Sequence, residues 1–201
     1  VELGASVLHE LVAEYVARHP EVRVEAILTD REIDLLSENV DLAIRAGDLE
    51  SSSLVARKLG SIYFAPFASP KYLKGRGVPS HPRELRNHEC VHFTPIGVEE
   101  WTLVGPRGAL SIPVPSRIMV NDLNVVKRFA VSGAGVALLP TFFALSEVRS
   151  GKLVRLLPEW KSEVTPIHFV YPAQRFVTPK LSAFIALSAE PLRRSLQTFG
   201  I

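Results

Sequence analysis

Apolar positions along this chain fall into runs whose spacing alternates between helical and extended. Leu8, Leu11, Val12, Tyr15 and Val16 recur at intervals of three and four, which predicts a helix over residues 5–19 with one buried stripe. Arg18 and His19 sit in its last turn and Pro20 stops it. Residues 22–28 alternate early and are wholly apolar late, as in a strand covered on both faces. Thr29 and Glu32 have the spacing of a capping box, which opens a short helix reaching Ser37 with Ile33 and Leu36 inward. Residues 40–46 then read as a buried strand ending at Gly47. Strands alternating with helices predict βαβ units and a parallel sheet.

Beyond Gly47 the pattern changes. A polar loop over 48–53 leads to a short strand or turn over 54–59. The apolar run 62–68 contains Pro66, which cannot donate to a ladder, so the run is expected to cross between lobes there. Residues 82–86 read as a helical turn and 90–93 as a strand. Residues 101–104 and 109–114 pair as a hairpin around Gly105-Pro106-Arg107-Gly108. A strand over 117–120 precedes a helix that Asn121 or Asp122 caps. That helix places Val125, Val126, Phe129 and Ala130 inside and ends at Gly133. Residues 136–139 form a strand, and Pro140 takes the first position of the next helix. Residues 164–171 return as a second crossover strand, and 178–197 close the chain as a helix with Leu181, Phe184, Ile185, Leu192 and Leu196 inward. The expected fold is α/β, with two Rossmann-like subdomains joined by two crossover strands. One lobe takes residues 1–66 plus 167–201 and the other 67–166.

Composition narrows the function. The 201 residues carry 23 basic and 21 acidic side chains, a net charge of +2, so no basic nucleic-acid surface stands out. The single cysteine, Cys90, excludes an internal disulfide and fits a reducing compartment. No apolar run reaches membrane-spanning length and no secretory leader is seen. His88, Cys90 and His92 alternate and would share one strand face, a set that zinc accepts. A fourth ligand is lacking, so the trio reads as core and no metal or other cofactor is expected. Gly133-Ala134-Gly135 follows a helix and lacks a third glycine, so it reads as a cap and tight turn, not a dinucleotide loop. Trp101 and Trp160 read as packing, and Arg193 and Arg194 as a solvated face. With no nucleophile, base or metal constellation, the chain reads as a binding module and not an enzyme.

Six segments carry a family resemblance: residues 40–47 (VDLAIRAG), 53–60 (SLVARKLG), 68–73 (ASPKYL), 85–90 (LRNHEC), 120–122 (VND) and 133–140 (GAGVALLP). In this order they resemble the effector-binding domain of LysR-type transcriptional regulators. The resemblance implies a two-lobe fold of the type 2 periplasmic-binding-protein kind. It also implies a cytoplasmic homodimer or tetramer that senses a small molecule, usually an aromatic acid or a small organic acid. DNA would be reached only through an N-terminal winged helix-turn-helix outside this sequence, and no membrane is involved. The family's effector lies between the lobes, which would place Glu2, Leu3, Gly4 and Ser6, Thr29 and Asp30, Ala46 and Gly47, Phe67, Thr94, Pro95 and Ile96, and Asn121 and Asp122 around it. These are strand ends and loop-to-helix junctions whose free N–H groups and hydroxyls can hold an anion. The plainer alternative is that Thr29, Asn121 and Asp122 only cap helices. Glu2 at the mouth would repel an anionic effector. The resemblance further implies dimer contacts through helices 5–19 and 122–132, with Val7, Ala17, Lys127 and Val131 off their core stripes. Two alternatives remain: a solute-binding protein of a transport system, and an enzyme on the same fold.

Overall fold

A computed structural model of the chain describes residues 2–29, 31, 33–47, 53–96, 100–173 and 177–197. The chain forms two units, residues 1–62 with 165–200, and residues 63–164. The division falls at Ile62/Tyr63 and Val164/Thr165, earlier at both crossings than the 66/67 and 166/167 boundaries read from the sequence. Pro66 does not break the run. It lies inside a strand, where its carbonyl accepts the Leu156 N–H at 2.8 Å, and the break comes at Tyr63.

The first unit holds α1 (Glu2–Arg18), β1 (Ala43–Ala46), β2 (Leu54–Ile62), β10 (Thr165–Pro172) and α5 (Pro179–Gln197). Its sheet has the order β1–β10–β2 and is antiparallel throughout. β1 and β2 run the same way, as a βαβ chain requires, but the returning β10 lies between them. The expected parallel pairing is therefore absent among the described strands of this unit. Phe169 and Val170, adjacent on β10, are both fully buried, so this central strand is covered on both faces. Leu11 of α1 and Leu181, Ile185, Leu192 and Leu196 of α5 pack on Leu59, Ile167 and Phe169. Tyr15 joins α1 to α5: its ring meets Phe184 edge-on at 5.1 Å, and its hydroxyl donates to the Lys180 carbonyl at 2.8 Å. Two expectations fail in this unit. Residues 22–28 form no strand, and Ile27 and Leu28 are exposed, because alternation alone forms no ladder without a partner. The helix expected to reach Ser37 is instead a turn over residues 35–39. Only Leu35 is buried there, while Leu36 is exposed.

The second unit contains β3 (Phe64–Ala68), α2 (Pro70–Arg76), β4 (Cys90–Phe93), β5 (Glu100–Gly105), β6 (Gly108–Pro113) and β7 (Ser116–Val120). It continues with α3 (Leu123–Ser132), β8 (Val136–Pro140), α4 (Thr141–Arg149) and β9 (Val154–Arg155). Its main sheet runs β7–β4–β8–β3–β9. β7, β4 and β8 are parallel, and β3 is antiparallel to β8 and β9. Period-two alternation divides the core. Cys90, Val136 and Leu138 face the layer of Trp101, Leu103 and Ile112 from the β5–β6 hairpin. Val91, Phe93, Ala137 and Leu139 face Val126 and Ala130 of α3 and Ala144 of α4. Asp122 caps α3, its Oδ1 accepting the Val125 N–H at 2.9 Å, and Gly133 ends it at φ 91°. Val125 faces outward, contrary to the expected stripe, because it occupies the first turn opposite Val126. Pro140 closes β8 and stands at the N-cap of α4, one position earlier than expected.

Candidate functional site

Strand direction decides which candidate residues share an edge. In the second unit β7, β4 and β8 all end at the same edge of the sheet, since they are parallel. Asn121 and Asp122 follow β7, Thr94–Ile96 follow β4 as one turn of 3-10 helix, and Thr141 follows β8. β3 begins at this edge, because Phe64 pairs with Pro140. The chain leaves there too: Phe64 and Ser162 clasp, Phe64 N–H donating to Ser162 Oγ at 2.9 Å and Ser162 N–H to the Phe64 carbonyl at 2.8 Å. Thr94, Pro95, Ile96, Asn121 and Asp122 therefore gather at the crossover edge of this unit, all exposed. In the first unit β1 ends at Ala46, opposite Ile167, and the Gly47 N–H donates to the Pro166 carbonyl at 2.9 Å. Ile62 pairs with Thr165, so Ala46 and Gly47 likewise lie at the edge where both crossings leave. Gly47 has φ 104°, a conformation that suits glycine.

Other candidates fare differently. Phe67 pairs with Ala137, toward the start of β8, and is buried in the core. It is removed from the site, because the antiparallel run of β3 carries it away from the crossover edge. Thr29 caps no helix; its Oγ1 accepts the Arg31 N–H at 3.1 Å in a local turn. Glu2, Leu3, Gly4 and Ser6 lie in α1 and not in a loop, with side chains outside the described residues. Val1, Asp30 and Glu32 also lie outside them.

His88, Cys90 and His92 are buried and assemble no metal group among the described residues. Tyr72 Oη accepts the Glu89 N–H at 2.9 Å and lies 3.2 Å from His88 Nδ1. Burial, reinforced by Arg76, holds the His88 imidazole below its ordinary value, and burial raises the Tyr72 phenol. Burial pushes the Cys90 thiol up to about 12. His92 packs against Trp101 with ring centroids 5.4 Å apart. This cluster is core chemistry, with His88, Tyr72 and Cys90 at the far end of β4 from the crossover edge and His92 one residue before the strand's end.

One side chain at the crossover edge escaped the sequence reading, and Lys127, read as a dimer-face residue, has a different environment. Tyr63 stands at the first crossing, with Lys161 Nζ 4.8 Å from its ring centroid. Lys127 on α3, expected at a dimer face, is engaged within its own unit. It pairs with Glu147 of α4 at 3.2 Å, lies 3.8 Å from the Phe143 centroid and donates to the Phe143 carbonyl. Val131 is likewise half-buried against the unit's own core, whereas Ala17 is exposed and the Val7 side chain lies outside the described residues. The signal for Lys127 was its spacing of 20 from Glu147, which no single-helix pattern contains.

An α/β chain of two units, joined twice and carrying loop residues at the joining edges, is the architecture of a ligand-binding regulatory domain. The chain belongs to the LysR family, matching the model of the LysR substrate binding domain over residues 1–193. It is similar to the transcriptional regulator PtxR of Pseudomonas aeruginosa, 33% identical over 183 residues covering 90% of this chain and 59% of that protein. It is 31% identical to CrgA of Neisseria meningitidis, over 94% of this chain and 64% of that one. The CrgA regulatory domain superposes with TM-score 0.78 at 29% identity, covering 98% of this chain and 94% of that one. The regulatory domain of AphB from Vibrio vulnificus superposes with TM-score 0.81 at 27% identity over 92% of each. The chain thus spans less than two thirds of the length of these full-length regulators. The relatives named are transcriptional regulators, which disfavours the solute-binding alternative. Among the described residues, no helix is long and apolar enough to cross a membrane.

Proposed function

We propose that this chain is the small-molecule sensor of a cytoplasmic LysR-type regulator. Effector binding at the crossover edges would alter DNA binding by the full-length protein, acting as a homodimer or tetramer. The observation that carries this reading is the convergence of Thr94–Ile96, Asn121 and Asp122 at the edge where β7, β4 and β8 end and the chain crosses over. Ligands in open α/β sheets bind beyond the carboxyl ends of strands. Ala46 and Gly47 lie at the crossover edge of the first unit. Asp122 is already engaged with the Val125 N–H, so Asn121 is the side chain assigned to the effector. No turnover accompanies binding in this reading.

A thermal-shift screen of small metabolites identifies the effector, because a ligand that binds only the folded state raises the apparent Tm. Calorimetry then compares wild type with Asn121→Ala. Loss of one good hydrogen bond is worth about 1 kcal/mol, so affinity falls by roughly fivefold with the unliganded Tm unchanged. Unchanged affinity removes Asn121 from the site. Recovery of a chemically altered ligand after incubation refutes the sensor reading.

A further inference from the structure

A second feature of residues 63–164 lies around the β5–β6 hairpin and the segment entering β4, whereas the effector residues of this unit follow the ends of β4 and β7. There the Trp160 indole rests on the β5–β6 hairpin. A Cβ built on Gly105 would meet Trp160 Cδ2 and Cε3 at 2.7 Å, so only glycine lets the ring approach this closely. The flanking backbone holds the ring in place. Trp160 N–H donates to the Leu157 carbonyl at 2.8 Å, and Lys161 and Val104 exchange a pair of backbone hydrogen bonds.

The His81 ring meets the indole edge-on, with centroids 5.7 Å apart. His81 Nδ1 accepts the Arg83 N–H at 3.2 Å, which in the neutral ring leaves the proton on Nε2 as a donor. Around this corner runs an open groove of about 320 Å³, lined by Trp160, His81, Arg83, Arg107 and Leu110 among others. That volume is at the small end of ligand sites.

The charge in the groove is of one sign. Among the described residues, neither Arg83 nor Arg107 has an ion-pair partner, and no carboxylate lines the groove. Glu84 is next to Arg83, but its carboxylate turns to Ser80, accepting the N–H at 2.9 Å and the hydroxyl at 2.8 Å. Two guanidiniums with free donor forks beside a fixed indole match a flat molecule that ends in an anion. The fork fits a carboxylate in bidentate fashion, and the indole and Leu110 offer apolar surface to a ring.

We propose that this groove is a second ligand site, specific for a planar aromatic carboxylate and separate from the effector edge. Arg83 and Arg107 bind its anion, and Trp160 with Leu110 binds its ring.

The test titrates the chain with 1-naphthoate and, in parallel, with uncharged 1-naphthylmethanol, following the tryptophan indole N–H signals by NMR. The chain has two tryptophans, and the spectrum of Trp160→Phe assigns the signals. The Trp160 signal should shift saturably with naphthoate, and the alcohol should bind at least roughly tenfold more weakly, the contribution of a charge-assisted pair. The double variant Arg83→Gln with Arg107→Gln should weaken naphthoate by a similar factor. Both arginines are exposed and make no tertiary bond, so its Tm should equal that of wild type. Equal response to acid and alcohol would show an apolar patch only and overturn the proposal. So would a non-saturating shift, or a double variant that binds naphthoate as wild type does.

Discussion

Gly135→Ala should destabilise the second unit by about 2–4 kcal/mol, although it adds a single methyl group. The added Cβ would stand 2.4 Å from the Glu89 carbonyl oxygen and 2.9 Å from its carbon. Both atoms are backbone, so no side chain can swing aside. The same carbonyl accepts the Val136 N–H at 2.8 Å, the bond that sets β8 against β4 where Cys90 pairs with Val136. Relief of the clash requires the strands to separate, which weakens that bond at a cost of about 1 kcal/mol. Over-packing in a close-packed interior adds roughly 1–3 kcal/mol. For a chain of this size each kcal/mol lowers Tm by about 2–4 °C. Urea unfolding of wild type and variant measures the difference at constant m. Gly75→Ala is the control: α2 is helical there, and nothing lies within 4 Å of the added Cβ. It should be neutral or stabilising by up to about 1 kcal/mol. A Gly135→Ala variant within about 0.5 kcal/mol of wild type would refute the close-approach argument, since surface-like substitutions fall in that range.

Two titratable groups give further tests. The His88 imidazole lies below its ordinary value, mainly through burial, with Arg76 adding to the effect and Glu84 opposing it. Below about pH 6.5 the unfolded chain therefore takes up a proton that the folded chain resists. Stability is full above that pH and declines as pH falls through it. His88→Gln should flatten the decline between pH 7.5 and 5.5 in urea unfolding, and a steeper decline in the variant would reverse the sign of the argument. The Cys90 thiol, pushed up to about 12 by burial, carries no appreciable thiolate at pH 8. A disulfide reagent at pH 8 should label it only as fast as the protein opens, and rapid labelling of the folded chain would contradict its burial.

Elements with strong local signals were legible in the sequence. The β5–β6 hairpin, α3 with its Asp122 cap and Gly133 terminus, β4 and α5 each form where turn chemistry and periodicity place them. What failed depends on partners distant along the chain. Alternation at residues 22–28 specified a strand but no neighbour to pair with. Pro66 reads as a breaker, yet it is tolerated because its carbonyl still accepts from Leu156. At the candidate site the same division holds. Asn121, Asp122 and Thr94–Ile96 follow strands that were recognised, and parallel pairing brings them to one edge. Phe67 was misplaced because the direction of β3 relative to β8 is a tertiary fact. The two glycines of the Gly133-Ala134-Gly135 motif, read together as one turn, have different roles. Gly133 needs its left-handed conformation, and Gly135 needs the space beside Glu89.

The hydrogen-bond clasp between Phe64 and Ser162 also bears on the order of assembly during synthesis. β2 ends at Ile62 and waits for β10, which starts at Thr165, so its ladder partner emerges from the ribosome only after the whole intervening segment. Closing so long a disordered loop directly would carry a substantial entropic cost. Once residues 63–164 have folded, the clasp holds the two ends of that segment together, and the distance between β2 and β10 along the chain becomes in effect that of a tight connection. The inserted unit thus acts as a pre-tied loop for the discontinuous one. If it folds first, the three-stranded sheet of β1, β10 and β2 can close without that loop-entropy cost.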